Sequence, residues 1–378
     1  MNSPDALETA FRRPTIVEVS LARLSENFRA IHAAVAPARV MPIVKANAYG
    51  HGLVAVARHL VAIGADSLGV AFLEEAVALR EAGIRLPILV MGGIFGDQIP
   101  VFLRHDLTLT ASSIDKLRQI DDVARDMGVT AKVHLKIDTG MERIGVHYYN
   151  AHGLLERAAE CGHSVVEGIY SHFANADAAD LTSARIQLTR YHDVLQWYDK
   201  QGVPPPLRHM ANSGAILQLP ESHLDVVRPG ILLYGVYPSA EVRHTIAVRP
   251  ALAWKSRVVY FKVVTPGHPV SYGSTWESDH NVRVVTVPVG YGDGYFRALS
   301  NVAEVIIRGK RYPVVGRVSM DQIMVNIEWD TAYNGDEVTL LGADGATAIT
   351  CEDLAEWAGT IPYEILTNIN TRVPRVYV

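Results

Sequence analysis

Between about residues 39 and 230, short apolar segments alternate with stretches whose apolar positions recur three and four residues apart. Successive strand and helix units of a parallel sheet read this way, because a strand covered on both faces is continuously apolar while its crossover helix is apolar on one face. Segments at 40–44, 67–72, 87–91, 107–111, 132–137, 165–171, 207–210 and 224–227 predict eight strands. Helical patterns fill the gaps. Ser113 is the expected cap of a run with Ile114, Leu117, Ile120, Ala124 and Met127 on one face, which Gly128 ends. Eight strands with crossovers predict an α/β fold whose N-terminal part is a (β/α)8, TIM-like barrel. Before the barrel, Ser20 is the expected cap of a covering helix with Leu21, Leu24, Phe28, Ile31 and Val35 at helical spacing.

Beyond about residue 244 the apolar period changes from helical to two, in runs such as 253–264, 282–288, 303–307 and 337–341 punctuated by Gly and Pro. One helical segment at 351–358 interrupts them, and 371–378 reads as a terminal strand. The expected division is a barrel over 14–244 and a mainly β C-terminal domain over 245–378. Residues 1–13 are expected to form an N-terminal tail able to pack on the C-terminal domain. No internal repeat or low-complexity tract interrupts either part.

Composition narrows the function. With 378 residues, 49% hydrophobic and 20% charged, the chain has enough apolar material for two cores and no apolar run that would span a bilayer. A net charge of -5 without Lys/Arg clusters argues against nucleic acid as a partner. Cys161 and Cys351 are too few for a disulfide framework or a zinc site, and no metal is expected. The first fifteen residues carry Asp5, Glu8, Arg12 and Arg13 and no apolar core of a secretory signal, so a cytoplasmic location is expected.

Parallel barrels place their chemistry where strands end. Lys45 follows the first strand, Arg143 the fifth, His172 the sixth, Asn212 and Ser213 the seventh, and Arg228 the eighth. Each has an ordinary alternative: Lys45 a solvated strand-end charge, Arg143 a surface ion pair, His172 a hydrogen-bonded core histidine. Six polar groups on one face of one barrel argue instead for a shared site. A lysine at the rim of a buried strand can be held neutral by desolvation and attack a carbonyl. The Asp138-Thr139-Gly140 and Gly292-Asp293-Gly294 turns read as loop geometry.

The stretch Lys45-Ala46-Asn47-Ala48-Tyr49-Gly50-His51-Gly52 resembles the cofactor-lysine motif of the alanine racemase family. Ser271-Tyr272-Gly273, Gly290-Tyr291-Gly292-Asp293-Gly294-Tyr295, Gly316-Arg317-Val318-Ser319-Met320-Asp321, Pro362-Tyr363-Glu364 and Arg372-Val373-Pro374-Arg375 extend the resemblance over almost the whole chain. It implies a homodimer dependent on pyridoxal 5'-phosphate, in which the β domain of one subunit completes the active site of the other. Racemisation needs an acid/base on each face of the substrate, since one group working on one face would return the same enantiomer. The resemblance makes Lys45 the cofactor lysine and the base for D-alanine, and Tyr272 from the other subunit the base for L-alanine. Arg228 is implied at the pyridine nitrogen. The Tyr49, Ser213 and Tyr363 hydroxyls and the Gly230 and Ile231 backbone N–H groups are implied at the phosphate, with His172 and Asn212 completing the cofactor set. Arg143 and the Met320 backbone are the implied substrate carboxylate contacts. Lys136 aligns with a family lysine that can be carbamylated and would then support Arg143. Tyr291 and Tyr363 are expected to narrow the entrance, with Asp321 in support. Interconversion of L- and D-alanine for peptidoglycan is the expected activity. The alternatives are a broad-specificity racemase on the same scaffold and a non-catalytic carrier of the cofactor.

Overall fold

The computed structural model describes residues 13–378, so the expected tail over 1–13 lies, Arg13 apart, outside the described residues. Two compact units emerge, one over 23–249 and the other over 250–378 with the described residues up to 22. In the first, eight parallel strands run in order: Arg39–Val40, Leu68–Val70, Ile88–Val90, Leu109–Ala111, Ala131–Asp138, Ser164–Tyr170, Leu207–His209 and Val226–Val227. Ladders or bridges join each neighbouring pair up to the seventh strand. Asp225 and Arg228 N–H then donate to the Arg208 and Ala211 carbonyls. The eighth strand pairs with the first, Val226 opposite Arg39, and so closes the barrel. Closure leaves no edge strand and buries the aliphatic runs that gave the strong sequence signal.

The helices follow their caps. Ser113 accepts the Lys116 N–H at 3.0 Å and Gly128, at φ +67°, ends the helix Ile114–Met127.

The second unit is built on a ten-stranded, mostly antiparallel sheet. The expected continuous strand over 253–264 is two strands. Leu252–Arg257 pairs with Ile16–Val19 and Glu337–Asp344, whereas Tyr260–Val264 pairs with Val282–Val287. An unbroken period of two carries no mark of where a strand changes partners, which is why the sequence pattern runs straight through the corner. Ile16–Val19 is a strand of this sheet, held antiparallel by Leu252–Arg257 and parallel by Arg375–Tyr377. The pattern also passed over the hairpin from Glu304–Ile307 to Lys310–Val315, turned by Arg308 and Gly309 at φ +52° and +75°.

Candidate active site

Lys45 follows Val44 and opens a turn of unusual hand. Ala46, Asn47, Ala48 and Tyr49 have φ of +52°, +55°, +53° and +50°, and Gly50 follows at +80°. Left-handed backbone costs an L-residue about 1–2 kcal/mol, so four in succession persist only where their surroundings dictate it. Here the Ala46 N–H donates to Glu75 Oε1 at 2.6 Å and the Leu53 N–H to Asn47 Oδ1 at 2.8 Å. The Tyr49 ring stacks on Tyr234 at 5.0 Å, and the Tyr234 hydroxyl donates to the Ile43 carbonyl at 2.9 Å. The turn leaves Lys45 half-buried at the rim. Burial pulls its amine below the ordinary lysine range, the charge of Arg143 lowers it further, Glu75 opposes the drop, and Arg228 adds to it.

On the far side of the same loop, a Cβ at Gly230 would collide with the Tyr49 hydroxyl. Glycine there lets that hydroxyl, Ser213 Oγ and the 230–232 backbone converge. Ser213 Oγ accepts the Gly230 N–H at 3.0 Å and the Leu232 N–H at 3.3 Å. Ile231 is buried at the start of the short helix Ile231–Tyr234. Asn212 caps the helix Ser213–Gln218 through the Ala215 N–H at 3.0 Å.

Arg228 is buried at the centre of the rim. Its guanidinium contacts His209 Nδ1 at 2.7 Å, the Ser171 carbonyl at 2.7 Å, the Met210 carbonyl at 3.2 Å and His172 Nδ1 at 3.3 Å. Because arginine only donates, both histidine Nδ1 atoms must accept. The His209 proton therefore sits on Nε2 and points to His134 Nδ1 at 2.8 Å. Burial and the Arg228 charge hold both rings neutral, with His134 pulled down to about 3. Arg228 itself, lowered by burial to about 10, stays charged at neutral pH. Tyr170 lies flat against His209, 4.8 Å between centroids, with Lys136 Nζ 4.8 Å from its ring centre. Lys136 is buried. Burial first, then Arg228, pulls its amine well below the usual range, and its Nζ donates to the Ile137 carbonyl at 3.3 Å.

Arg143 is exposed on the loop after the fifth strand, and Asp138 shapes that loop. Asp138 Oδ1 accepts the Gly140, Met141 and Glu142 N–H groups at 2.8, 2.9 and 3.2 Å, and Oδ2 the Arg143 N–H at 3.1 Å. The barrel unit thus brings together Lys45, Tyr49, Lys136, His172, Asn212, Ser213, Arg228, Gly230 and Ile231, with Arg143 on an adjoining loop.

The remaining candidates belong to the β unit. Tyr272 is 72% exposed, on a turn whose preceding Ser271 adopts φ +69° and ψ -178°, a region otherwise almost confined to glycine. Ser271 Oγ ties that turn to the Arg317 carbonyl at 2.6 Å. Tyr291 and Gly292 N–H groups donate to the Ser319 and Met320 carbonyls at 3.0 and 2.9 Å, which joins the two loops. Arg372 bridges Asp293 at 2.7 Å and Asp321 at 2.6 Å, and Arg13 reaches Asp293 at 2.5 Å. Tyr363 lies on the helix Pro362–Asn368, whose end abuts Gly294. Tyr291, Met320 and Asp321 therefore form one cluster, with Tyr272 held from the residue preceding it. Among the described residues, no group of three or more His, Cys, Asp or Glu side chains is placed to hold a metal ion.

Asp138 and Asp293 carry a pH signature. Burial pushes both carboxyls up, yet the hydrogen bonds more than offset this: backbone N–H groups at Asp138, and Arg13, Arg372 and the Gly290 N–H at Asp293. Both end below the ordinary aspartate range. Their contribution to stability is therefore complete above about pH 4 and lost as pH falls through the lower native values. Asp138→Asn is expected to cost about 2–3 kcal/mol at neutral pH and to flatten the acid limb of a plot of urea midpoint against pH. An acid limb as steep as that of the unsubstituted chain would remove Asp138 from this account.

A closed parallel barrel with Lys45, Arg228, His172 and Ser213 gathered at its carboxyl rim, followed by a β unit, has the architecture of barrel enzymes that carry their chemistry where the strands end. Comparison with known proteins gives the family. Residues 19–238 match the alanine racemase N-terminal domain and residues 251–377 the alanine racemase C-terminal domain. The chain is 45% identical to an alanine racemase of Carboxydothermus hydrogenoformans, over 97% of this chain and 100% of the relative. The solved alanine racemase of Clostridium difficile 630 has a TM-score of 0.92 at 36% identity, covering 97% of this chain and 96% of that one. One from Streptomyces lavendulae gives 0.92 at 38%, covering 97% of each. The chain belongs to the alanine racemase family.

Sequence reasoning passed over Glu75, Tyr170, His134 and His209. None stands in a motif of its own chemistry. Tyr170 and His134 fall inside strand runs that read as plain core.

Proposed function

We propose that the chain interconverts L- and D-alanine with pyridoxal 5'-phosphate, using two acid/base groups. The observation that carries this reading is the depressed Lys45 amine on the same rim as Arg228, Tyr49, Ser213 and Gly230.

The residues fit the cofactor. Tyr49 and Ser213 hydroxyls and the Gly230 and Ile231 backbone would hold its phosphate without a dedicated cation, and the missing Cβ of Gly230 keeps room for the approach. Tyr363 would add a third hydroxyl, and His172 and Asn212 complete the set. When bound, the cofactor supplies a conjugated ring that stabilises negative charge at the substrate Cα. Arg228 only donates hydrogen bonds, so beside the pyridine nitrogen it would favour the unprotonated ring, a weaker electron acceptor.

Lys45 takes or returns the Cα proton on the D-alanine face. Tyr272, presented by a second copy of the chain, does so on the L-alanine face. Its exposure on a constrained turn suits delivery to another surface. Arg143 and the Met320 backbone hold the substrate carboxylate, with Lys136, carbamylated as the resemblance implies, and Asp321 in support. Tyr291 and Tyr363 restrict the side chain to little more than a methyl. In this reading the barrel unit over 23–249 carries the cofactor and the β unit carries the second base, the working unit is a homodimer, and the D-alanine feeds peptidoglycan synthesis from the cytoplasm. No described helix is long and apolar enough to cross a membrane.

A chiral assay of the purified chain with alanine, serine, lysine and arginine, with and without pyridoxal 5'-phosphate, tests this directly. Cofactor-dependent turnover of alanine far above the others supports it; equal turnover of all four would favour a broad-specificity racemase, and no turnover would refute racemisation.

A further inference from the structure

Glu75, outside the motif set, binds the backbone of the residue that follows Lys45. It sits in the first turn of the helix Leu73–Glu81, after the second barrel strand. Its Oε2 accepts the Ala71 and Phe72 N–H groups at 2.9 and 3.2 Å, an ordinary arrangement at a helix start. Its Oε1 does something the helix does not need. It crosses to the neighbouring loop and accepts the Ala46 N–H at 2.6 Å, at the first left-handed residue after Lys45.

We propose that Glu75 is a positioning residue for Lys45: its carboxylate locks the left-handed turn behind the lysine and stands as counter-charge to the amine. The proposal rests on Lys45 being the reactive amine of the proposed function. Two positive groups also bear on that site, Arg143 from the loop after the fifth strand and Arg228 after the eighth, while the His172 ring after the sixth is held neutral by burial and by the Arg228 charge. Arg143 and Arg228 both favour the neutral amine, as does burial, while Glu75 is the carboxylate acting against them. An amine driven fully neutral would be a good nucleophile but a poor proton donor. A general acid/base needs a pKa near the working pH, so a counter-charge at this distance from solvent adjusts the lysine for both halves of its cycle. The carboxylate also ties two functions together, since one group fixes both the backbone and the field.

Glu75→Gln keeps the shape and removes the charge, whereas Glu75→Asp keeps the charge and shortens the reach. The test is reductive methylation of the full-length, cofactor-free chain with limiting formaldehyde across pH, read at Lys45 by peptide mass spectrometry against surface lysines. The midpoint for Lys45 is expected to fall by about one pH unit in Glu75→Gln, a tenfold change in the amine-to-ammonium ratio, and by less in Glu75→Asp. Amide exchange at 46–48 is expected to quicken in both. An unchanged midpoint in Glu75→Gln, or equal shifts in the two variants, overturns the proposal. If Glu75→Gln fails to fold, Glu75→Asp decides alone: faster exchange at Ala46 supports the positioning role and unchanged exchange overturns it. Trapping of pyridoxal 5'-phosphate on Lys45 with borohydride in the unsubstituted chain is scored separately, so failure of the cofactor reading is distinguishable from failure of the role given to Glu75.

Discussion

Lys45→Ala is expected to abolish alanine racemisation, by at least about a thousandfold, and to remove any borohydride-reducible adduct with pyridoxal 5'-phosphate. The size follows from what Lys45 is asked to do. In the proposed function it is both the covalent anchor of the cofactor and one of two proton carriers, and a nearby amine, Lys136, is buried with its Nζ on the Ile137 carbonyl. Truncation at a half-buried rim position removes little packing, so thermal unfolding should stay close to that of the unsubstituted chain. Activity and adduct lost together, with stability kept, is the expected pattern. A reducible adduct persisting in Lys45→Ala would move the chemistry to another amine.

Tyr272→Phe is expected to lower racemisation by about a hundred- to ten-thousandfold while leaving cofactor binding intact. The ring remains and only the hydroxyl goes. Since Tyr272 is 72% exposed, stability should barely change. The loss should be directional. Exchange of the Cα proton of L-alanine with solvent deuterium is expected to stop, whereas that of D-alanine continues through Lys45. Equal exchange rates from both enantiomers would take Tyr272 out of the proton path.

The barrel was legible in the sequence because its strands are buried on both faces, so their aliphatic runs stand out between amphipathic helices. The β unit was legible in kind and blurred in detail. Ile16–Val19 is only four residues long, and its partners at Leu252–Arg257 and Arg375–Tyr377 lie more than two hundred residues along the chain. No local pattern encodes such a pairing. The candidate residues of the barrel rim were legible through their place after each strand. Their supporting groups were not, because Glu75 looks like any acidic residue in a first helical turn, and His134 and His209 like core histidines. Asp138 and Asp293 were read as turn formers. Asp138 is one, with four backbone donors on its carboxylate. Asp293 does more, because two arginines converge on it.

The backward-wound loop behind Lys45 has a chemical corollary. Nothing in Lys45-Ala46-Asn47-Ala48-Tyr49 favours that winding in isolation, so a nascent or unfolded chain carries there an ordinary, protonated and sluggish lysine. In the proposed function, heightened reactivity toward aldehydes is acquired only once distant strands have closed around that spot. A synthetic peptide copying residues 41–52 should accordingly react no faster than free lysine at neutral pH, which would spare the half-made protein from scavenging stray carbonyl compounds.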